Sequence, residues 1–165
     1  MKQVIFHKYH GNGNDFIIID SRKSNIYNEL VSNKSFNISD LCDRNFGIGA
    51  DGLIFILDSK SNNDAKMIIF NSDNSEAEMC GNGIRCLIKH LHLENFITKE
   101  INHYKIETKA GIKLAKYNKG EITVRMGKPI FENNLIPTKL EDIKFGMASG
   151  KFTYDNFSSI GYCVG

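Results

Sequence analysis

Apolar residues recur with two different periods along this chain: every three to four residues in one segment, which predicts a helix, and every second residue in others, which predicts strands. From residue 82 onward, the apolar positions follow the i, i+3, i+4 and i+7 spacing of one helical face: Ile84, Leu87, Ile88 and Leu91. Such a face needs a partner that covers it, so the sequence predicts a helix packed against other elements.

Short strands are predicted on both sides of this helix. The predicted strands are residues 4–9, 16–20, 53–57, 66–70, 104–108, 112–117 and 122–126. The first two are joined by the polar turn 10–15 and predict a hairpin. A short helix is expected over residues 38–45, closed at Gly47. The pattern therefore favours an α+β fold with a sheet wrapped about one helix, and no helix is expected after residue 126.

Composition narrows the class of protein. The 165 residues are 41% hydrophobic and 24% charged, which suits a globular chain with a core of its own. A net charge of +2 with scattered lysines argues against a nucleic-acid surface. The chain has neither an apolar run of about 18 residues nor the apolar region of a signal peptide. We therefore expect no membrane span and a cytoplasmic location.

The cysteines show no pattern typical of a metal site. The four cysteines contain no Cys-x-x-Cys pair, so neither a zinc ribbon nor a thioredoxin-like site is indicated. In a reducing compartment we expect free thiols. Cys42 and Cys86 fall in predicted helices and are expected to be small buried side chains. Cys163 lies in an extended stretch and lacks a helix start that would activate it.

One cysteine has a different setting. Cys80 directly precedes the residues Gly81 and Asn82, which open the predicted central helix. The backbone N–H groups of a first helical turn have no intrahelical partner, and the helix dipole is positive at that end. Cys80 is therefore placed where a thiolate would be stabilised, and the same donors could hold an anionic group of a ligand.

Other groups that could bind metal are better explained by ordinary roles. His90 and His92 are two residues apart on a predicted helix and face different directions, so both are expected at the surface. Asp40, Asp43 and Asp51 could suggest an acidic metal site, but helix-surface and capping roles explain them as well. No metal site is predicted.

The polar motifs resemble those of a known family. The matching segments are residues 8–16, 43–52, 70–76 and 80–83, extended by residues 108–111 and 124–129. Several long motifs in this order are similar to those of the diaminopimelate epimerase family over essentially the whole chain. The resemblance implies one of two pseudo-repeats, each a mixed, mostly antiparallel sheet curled into a barrel-like roll around a central helix.

The resemblance also implies a chemistry and a set of site residues. Members interconvert L,L- and meso-diaminopimelate, a lysine and peptidoglycan precursor, without pyridoxal phosphate or metal. Two cysteines act as acid and base on opposite faces of the α-carbon. Cys80 matches one of them, Asn14 and Asn71 match substrate-holding asparagines, and Gly81 and Asn82 match the backbone donors for the α-carboxylate.

One position departs from the family's motifs, two motif acids are given no catalytic role, and the chain holds only part of the family's two-domain architecture. Gly52 stands where the family commonly has a substrate-contacting glutamine. Asp15 and Glu76 match motif acids, for which structural hydrogen bonding is expected. Residues 1–124 are predicted to form the first domain and residues 125–165 an incomplete second one, without a counterpart of the second cysteine. The chain alone is therefore expected not to epimerise, and its unpaired edge favours association with another copy.

Two other functions stay open at this point. One is a racemase or isomerase of the same fold that acts on another amino acid. The other is a non-catalytic binding or assembly module that keeps the carboxylate pocket without the second base.

Overall fold

The computed structural model describes residues 3–94, 103–128, 149–154 and 157–162. The chain divides into two compact units, Met1–Arg125 and Met126–Gly165. The strands of the first unit are β1 (His7–Gly11), β2 (Asn14–Asp20), β3 (Gly52–Leu57), β4 (Ala65–Asn71), β5 (Glu76–Ala77), β6 (His103–Thr108), β7 (Gly111–Asn118) and β8 (Glu121–Arg125). Its helices are α1 (Ile26–Ser32), α2 (Ile38–Cys42) and α3 (Gly81–Leu93). In the second unit, β9 (Ser149–Tyr154) pairs antiparallel with β10 (Phe157–Tyr162).

The first unit is built on one sheet with the order β1-β2-β3-β4-β6-β7-β8, and β5 pairs with β4. The pairs β2–β3 and β4–β6 are parallel, and the others are antiparallel. Helix α3 contacts β1 and β2 at one edge, β4 in the middle, and β7 and β8 at the other edge. The sheet thus curls around α3, which confirms the predicted mixed, mostly antiparallel sheet around a central helix.

The predicted helical face is the centre of the core. Ile84, Leu87, Ile88 and Leu91 are completely buried. They pack against the inner face of the sheet, with Ile54 and Ile106 among their neighbours in the same cluster. A second cluster on the outer face of β2 and β3 is covered by α2. Because β2 and β3 are buried on both faces, their sequences are continuous runs of apolar residues and do not alternate between apolar and polar residues.

Several predicted boundaries differ from the observed ones. Strand β1 runs to Gly11 and β2 begins at Asn14, so the hairpin turn is the pair Asn12-Gly13, with φ of 57° and 86°. Two positive φ values are typical of the tight type I′ turn that matches strand twist. Helix α2 ends at Cys42 because the Asp43 carboxylate instead accepts the N–H groups of the next turn.

Helix α1 was not predicted. It is two turns long, and its only apolar contacts with the core come from partly buried residues such as Ile26 and Leu30. Its N-cap, Asn25, makes no side-chain capping hydrogen bond. A helix this short with no cap gives little periodic signal in a sequence. Among the described residues, no helix is both long and apolar enough to cross a membrane.

The expected surface position of His90 is wrong. His90 is only 1% exposed. Its Nε2 lies 3.4 Å from Asp20 Oδ2 and its Nδ1 lies 3.3 Å from Tyr9 Oη, so burial leaves neither ring nitrogen without a polar neighbour. Position 90 is also three residues after Leu87, which places it beside the buried stripe. His92 is half-buried and stacks on Tyr117, with ring centroids 3.8 Å apart.

The Asp20 cluster predicts an acid-dependent loss of stability. Burial of Asp20 opposes its ionisation, but hydrogen bonds from His90 and Arg22 outweigh it and lower the pKa of this carboxyl. The ionised group therefore stabilises the folded chain; this contribution is complete above the unfolded pKa, about 4. It is lost as pH falls from there through the lower native pKa. We expect Asp20→Asn to lower the free energy of unfolding by about 2 kcal/mol at pH 7.

Urea unfolding at several pH values measures this effect. The difference between the wild-type chain and Asp20→Asn should shrink at pH 3, because the wild-type chain then loses part of the contribution of the ionised Asp20, whereas asparagine does not titrate. Asp58→Asn, at an exposed carboxylate, is the matched control and should change little at either pH. A difference for Asp20→Asn that is equal at pH 3 and pH 7 would be inconsistent with this linkage.

Candidate active site

Cys80 is the N-cap residue of α3. Its backbone is extended, with φ of −141° and ψ of 121°, and its carbonyl oxygen accepts the N–H of Ile84 at 2.9 Å. Its Sγ accepts the N–H of Gly83 at 3.4 Å. Helix N-caps are usually serine, threonine, aspartate or asparagine, so a thiol here takes the place of a capping oxygen. The half-buried sulfur thus lies at the positive end of a helix dipole.

A second donor reaches the same sulfur from the sheet. Asn14 is the first residue of β2, and its Nδ2 donates to Cys80 Sγ over 3.9 Å. This approach depends on close packing between the β1–β2 turn and α3. A Cβ atom at Gly11 would come within 3.3 Å of the Asn82 carbonyl oxygen, so glycine permits the contact. The structure therefore brings two predicted site residues, Asn14 and Cys80, together.

The start of α3 also presents unused donors. Within the described part of the chain, the backbone N–H groups of Gly81 and Asn82 have no hydrogen-bond acceptor. The Asn82 side chain accepts a hydrogen bond from the Arg85 guanidinium. Two open N–H groups at a helix N-terminus, with a guanidinium one turn further along, are suited to an anionic group such as a carboxylate.

Asn71 occupies a separate local arrangement. It ends β4, its N–H donates to the Ser75 carbonyl oxygen at 2.8 Å, and its Nδ2 donates to Ser75 Oγ at 2.9 Å. The Ser75 N–H and hydroxyl in turn bond to Asp73 Oδ1. Asn71 is exposed, and its side-chain hydrogen bond is to Ser75 rather than to Cys80. The structure therefore does not join Asn71 to the thiol directly.

An ion-pair network lies next to Asn14. The Asp15 carboxylate accepts from Arg44 at 2.7 Å and from Lys8 at 2.8 Å, and Asp51 shares the same guanidinium at 2.8 Å. The Arg44 guanidinium, helped by Lys8, lowers the pKa of Asp15 against the opposing effect of burial. The Asp51 N–H donates to the Asp15 carbonyl oxygen at 2.9 Å, and the Asp15 N–H donates to Asp51 Oδ2 at 3.0 Å. The network ties the start of β2 to the loop before β3, and so holds the strand end that carries Asn14.

Sequence reasoning gave Arg44 and Lys8 no role of their own. Both lie inside the motifs that carry the resemblance, residues 8–16 and 43–52. Their place in these motifs is the sequence feature that could have pointed to a role near the site. The other motif acid, Glu76, pairs with Lys109 at 3.3 Å on an exposed surface. Exposed pairs of this kind contribute little to stability.

Gly52 faces a backbone group. It is buried at the start of β3, and a Cβ atom there would lie 2.5 Å from the Phe70 carbonyl oxygen on β4. Any larger residue would force the two strands apart. A glutamine contact from this position is therefore incompatible with the observed pairing.

The other cysteines differ from Cys80. Cys42 and Cys86 are 4% and 3% exposed, which confirms that they are small buried side chains. Burial raises the pKa of both thiols, that of Cys86 to about 11. Neither is a ready thiolate at neutral pH. Cys163 lies outside the described residues.

Comparisons with known proteins match this chain to one family. The sequence profile described as Diaminopimelate epimerase matches residues 6–132. "Diaminopimelate epimerase" of Prochlorococcus marinus (strain NATL1A) is 53% identical over 136 residues, which are 82% of this chain and 48% of that protein. "Diaminopimelate epimerase, chloroplastic" of Oryza sativa subsp. japonica is 45% identical over 141 residues, 84% of this chain and 38% of that protein. The chain thus spans half or less of the length of these relatives.

Solved structures share the fold. A Bacillus anthracis phenazine biosynthesis protein of the PhzF family is 26% identical with a TM-score of 0.56, over 78% of this chain and 42% of that one. A hydroxyproline epimerase from Agrobacterium vitis is 18% identical with a TM-score of 0.53, over 73% of this chain and 40% of that one. The second likeness concerns the fold alone.

Proposed function

Because this chain belongs to the diaminopimelate epimerase family, we propose that Cys80 is an acid/base thiol that acts at the α-carbon of diaminopimelate. The observation that carries this proposal is the convergence of two donors, the Gly83 N–H and Asn14 Nδ2, on Cys80 Sγ at a helix start. Donors aimed at a sulfur stabilise its anionic form, and the anionic form is the base.

The substrate carboxylate is proposed to sit on the open backbone donors. The N–H groups of Gly81 and Asn82 are adjacent to Cys80 in the chain, so a carboxylate bound there places its α-carbon beside the sulfur. Removing the α-proton leaves negative charge that spreads into this carboxylate. Donors already in position stabilise that charge as it develops.

The proton balance shows that a single thiol can exchange the α-hydrogen but cannot invert the α-carbon. The thiolate takes the α-proton and becomes a thiol, and the substrate becomes a carbanion. Return of a solvent-exchanged proton from the same thiol restores the original configuration, whereas inversion requires a second acid on the opposite face. Among the described residues, the remaining thiols are the buried Cys42 and Cys86, and the sequence around Cys163 lacks a helix start that would activate it. We therefore propose that this chain alone exchanges the α-hydrogen without inverting the centre.

The whole reaction is proposed to be the cofactor-independent interconversion of L,L- and meso-diaminopimelate, which supplies lysine and peptidoglycan synthesis. The division into residues 1–124 and 125–165, the cytoplasmic location and homo-oligomeric assembly stay predictions. The named rice relative is chloroplastic, so location varies among relatives. Within the described residues, β8 pairs only with β7, and its free edge supports association between copies.

Selective alkylation tests the proposed site. An electrophilic analogue of diaminopimelate should label Cys80 at least about tenfold faster than Cys42 or Cys86, because those two thiols are buried with raised pKa values. Mass spectrometry of the digested chain identifies the labelled residue, and added diaminopimelate should slow the labelling. Iodoacetamide, which carries no part of diaminopimelate, is the control for exposure: its preference for Cys80 over Cys42 and Cys86 measures accessibility and thiolate character alone.

Equal and slow labelling of all three cysteines would instead indicate a non-catalytic binding or assembly module. Labelling of Cys80 that is protected by proline but not by diaminopimelate would indicate a racemase of another amino acid.

A further inference from the structure

A second cluster of chemically active side chains lies at the opposite end of α3 from Cys80. His7 on β1, His90 on α3 and Glu94 at the end of α3 each offer one ligand atom, and these atoms lie within 4.8 Å of one another. Ten residues of helix separate His90 from Cys80, a rise of about 15 Å. The cluster therefore belongs to a different region of the first unit from the proposed thiol site.

The fold assembles this cluster from elements far apart in sequence. His90 and Glu94 are four residues apart on α3, so they lie on the same helix face, and the Glu94 N–H donates to the His90 carbonyl oxygen at 3.0 Å. His7 is opposite Ile18 in the β1–β2 register, on the face that packs against α3. The rings of His7 and His90 are 4.6 Å apart between centroids.

A pocket of about 560 Å³ opens onto these residues, and Asp20 and Arg22 line it as well. Within the part of the chain that the structure describes, His7 makes ring contacts with Tyr9 and His90 but no hydrogen bond. A half-buried imidazole with free nitrogens beside a carboxylate and a second imidazole is the donor set of a transition-metal ion.

His90 is held in a way that suits a metal ligand. Its two ring nitrogens make long contacts, 3.4 Å to Asp20 and 3.3 Å to Tyr9. If one nitrogen binds a metal ion, the other can donate its proton to Asp20 Oδ2 or Tyr9 Oη. A carboxylate or hydroxyl that accepts from the second nitrogen fixes the tautomer and orientation of a metal-bound histidine.

We propose that His7, His90 and Glu94 form a binding site for Zn²⁺, with water from the open pocket as the fourth ligand. Tetrahedral zinc with ligands at about 2.0–2.1 Å places ligand atoms about 3.4 Å apart. The cluster must therefore contract by roughly 1.4 Å, by movement of the exposed Glu94 and half-buried His7 side chains. Bound zinc joins the first strand to the end of the central helix and stabilises the folded chain.

The proposed zinc site contains no cysteine, so it can be distinguished from zinc binding at a thiol. Cysteine sulfur is the main competing zinc ligand in this chain, and Cys80 is the half-exposed one among the described thiols. Cobalt(II) distinguishes the two possibilities, because a thiolate ligand adds an intense charge-transfer band in the near ultraviolet, whereas a His₂Glu site does not. Zinc binding should also be unchanged in Cys80→Ser.

Titration of the 165-residue chain with zinc ion alone, followed by calorimetry, tests the proposal. We expect one equivalent of zinc per chain and a higher unfolding temperature with zinc. His7→Gln and Glu94→Gln should each weaken the zinc affinity by about tenfold or more. His92→Gln, on the same helix but outside the cluster, is the matched control and should bind as the wild-type chain does. Because His7 and Glu94 are not fully buried, their variants should fold, which circular dichroism verifies.

Three results would overturn the proposal. The first is no zinc binding at millimolar concentration. The second is one-to-one binding that His7→Gln and Glu94→Gln leave unchanged. The third is a thiolate-to-cobalt band that disappears in Cys80→Ser, which would assign the ion to the thiol instead.

Discussion

Replacing Cys80 by serine is expected to stop exchange of the α-hydrogen of diaminopimelate with solvent while the chain stays folded. Serine is a good N-cap and can accept the Gly83 N–H as the sulfur does. Its hydroxyl is a far weaker base at neutral pH, and a lost acid/base group costs about 10²–10⁴ in rate. We expect exchange to fall by about 10²–10⁴-fold, measured by mass spectrometry in deuterated water.

Replacing a second cysteine of the same helix controls for loss of exchange that comes from loss of a thiol or of stability in general. Cys86 is buried inside the same helix, so Cys86→Ala should keep most of the exchange rate even if it lowers stability. The unfolding midpoints of both variants show whether lost exchange reflects lost structure. Normal exchange by a folded Cys80→Ser chain would rule out Cys80 as the base.

Truncating the centre of the buried helix face is expected to produce the largest loss of stability. Leu87 is completely buried between α3 and the sheet. Leu87→Ala removes apolar contacts and leaves a cavity that a close-packed core fills poorly, so the free energy of unfolding should fall by about 2–5 kcal/mol. Urea denaturation monitored by circular dichroism measures the change.

Leu93→Ala is the matched control, because the same substitution then falls on the same helix at a side chain that is 54% exposed. Its effect should stay within about 0.5 kcal/mol. Equal losses for the two variants would mean that the buried face of α3 is not the main source of stability. Because that face also fixes the helix start, Leu87→Ala should slow alkylation of Cys80 by the substrate analogue as well.

The central architecture could be predicted because two strong periodic signals mark it. The stripe of Ile84, Leu87, Ile88 and Leu91 fixed α3, and regular alternation fixed β6, β7 and β8. The hairpin was predicted but its turn was too long, since Asn12 and Gly13 alone adopt the positive φ values it needs. Helix α1 was missed because two uncapped turns give almost no pattern.

The candidate site was predictable where chemistry and chain position coincide. Cys80 precedes the helix start in sequence, so local reasoning and the resemblance both select it, and the resemblance adds Asn14, which follows the turn that packs on this helix start. The His90 cluster depends instead on contacts with Tyr9 and Asp20 across the fold. Periodicity along one helix could place His90 near the buried stripe but could not show which strands supply its partners.

One incubation tests most directly whether Cys80 acts as the acid/base thiol of this chain. The wild-type chain is mixed with L,L-diaminopimelate in deuterated water, and the α-deuterium content and the configuration of the product are measured together. Deuterium should enter the α-position while the L,L configuration is retained, and Cys80→Ser should abolish this exchange. Formation of meso product by the chain alone, or the absence of any deuterium, would contradict the proposed role.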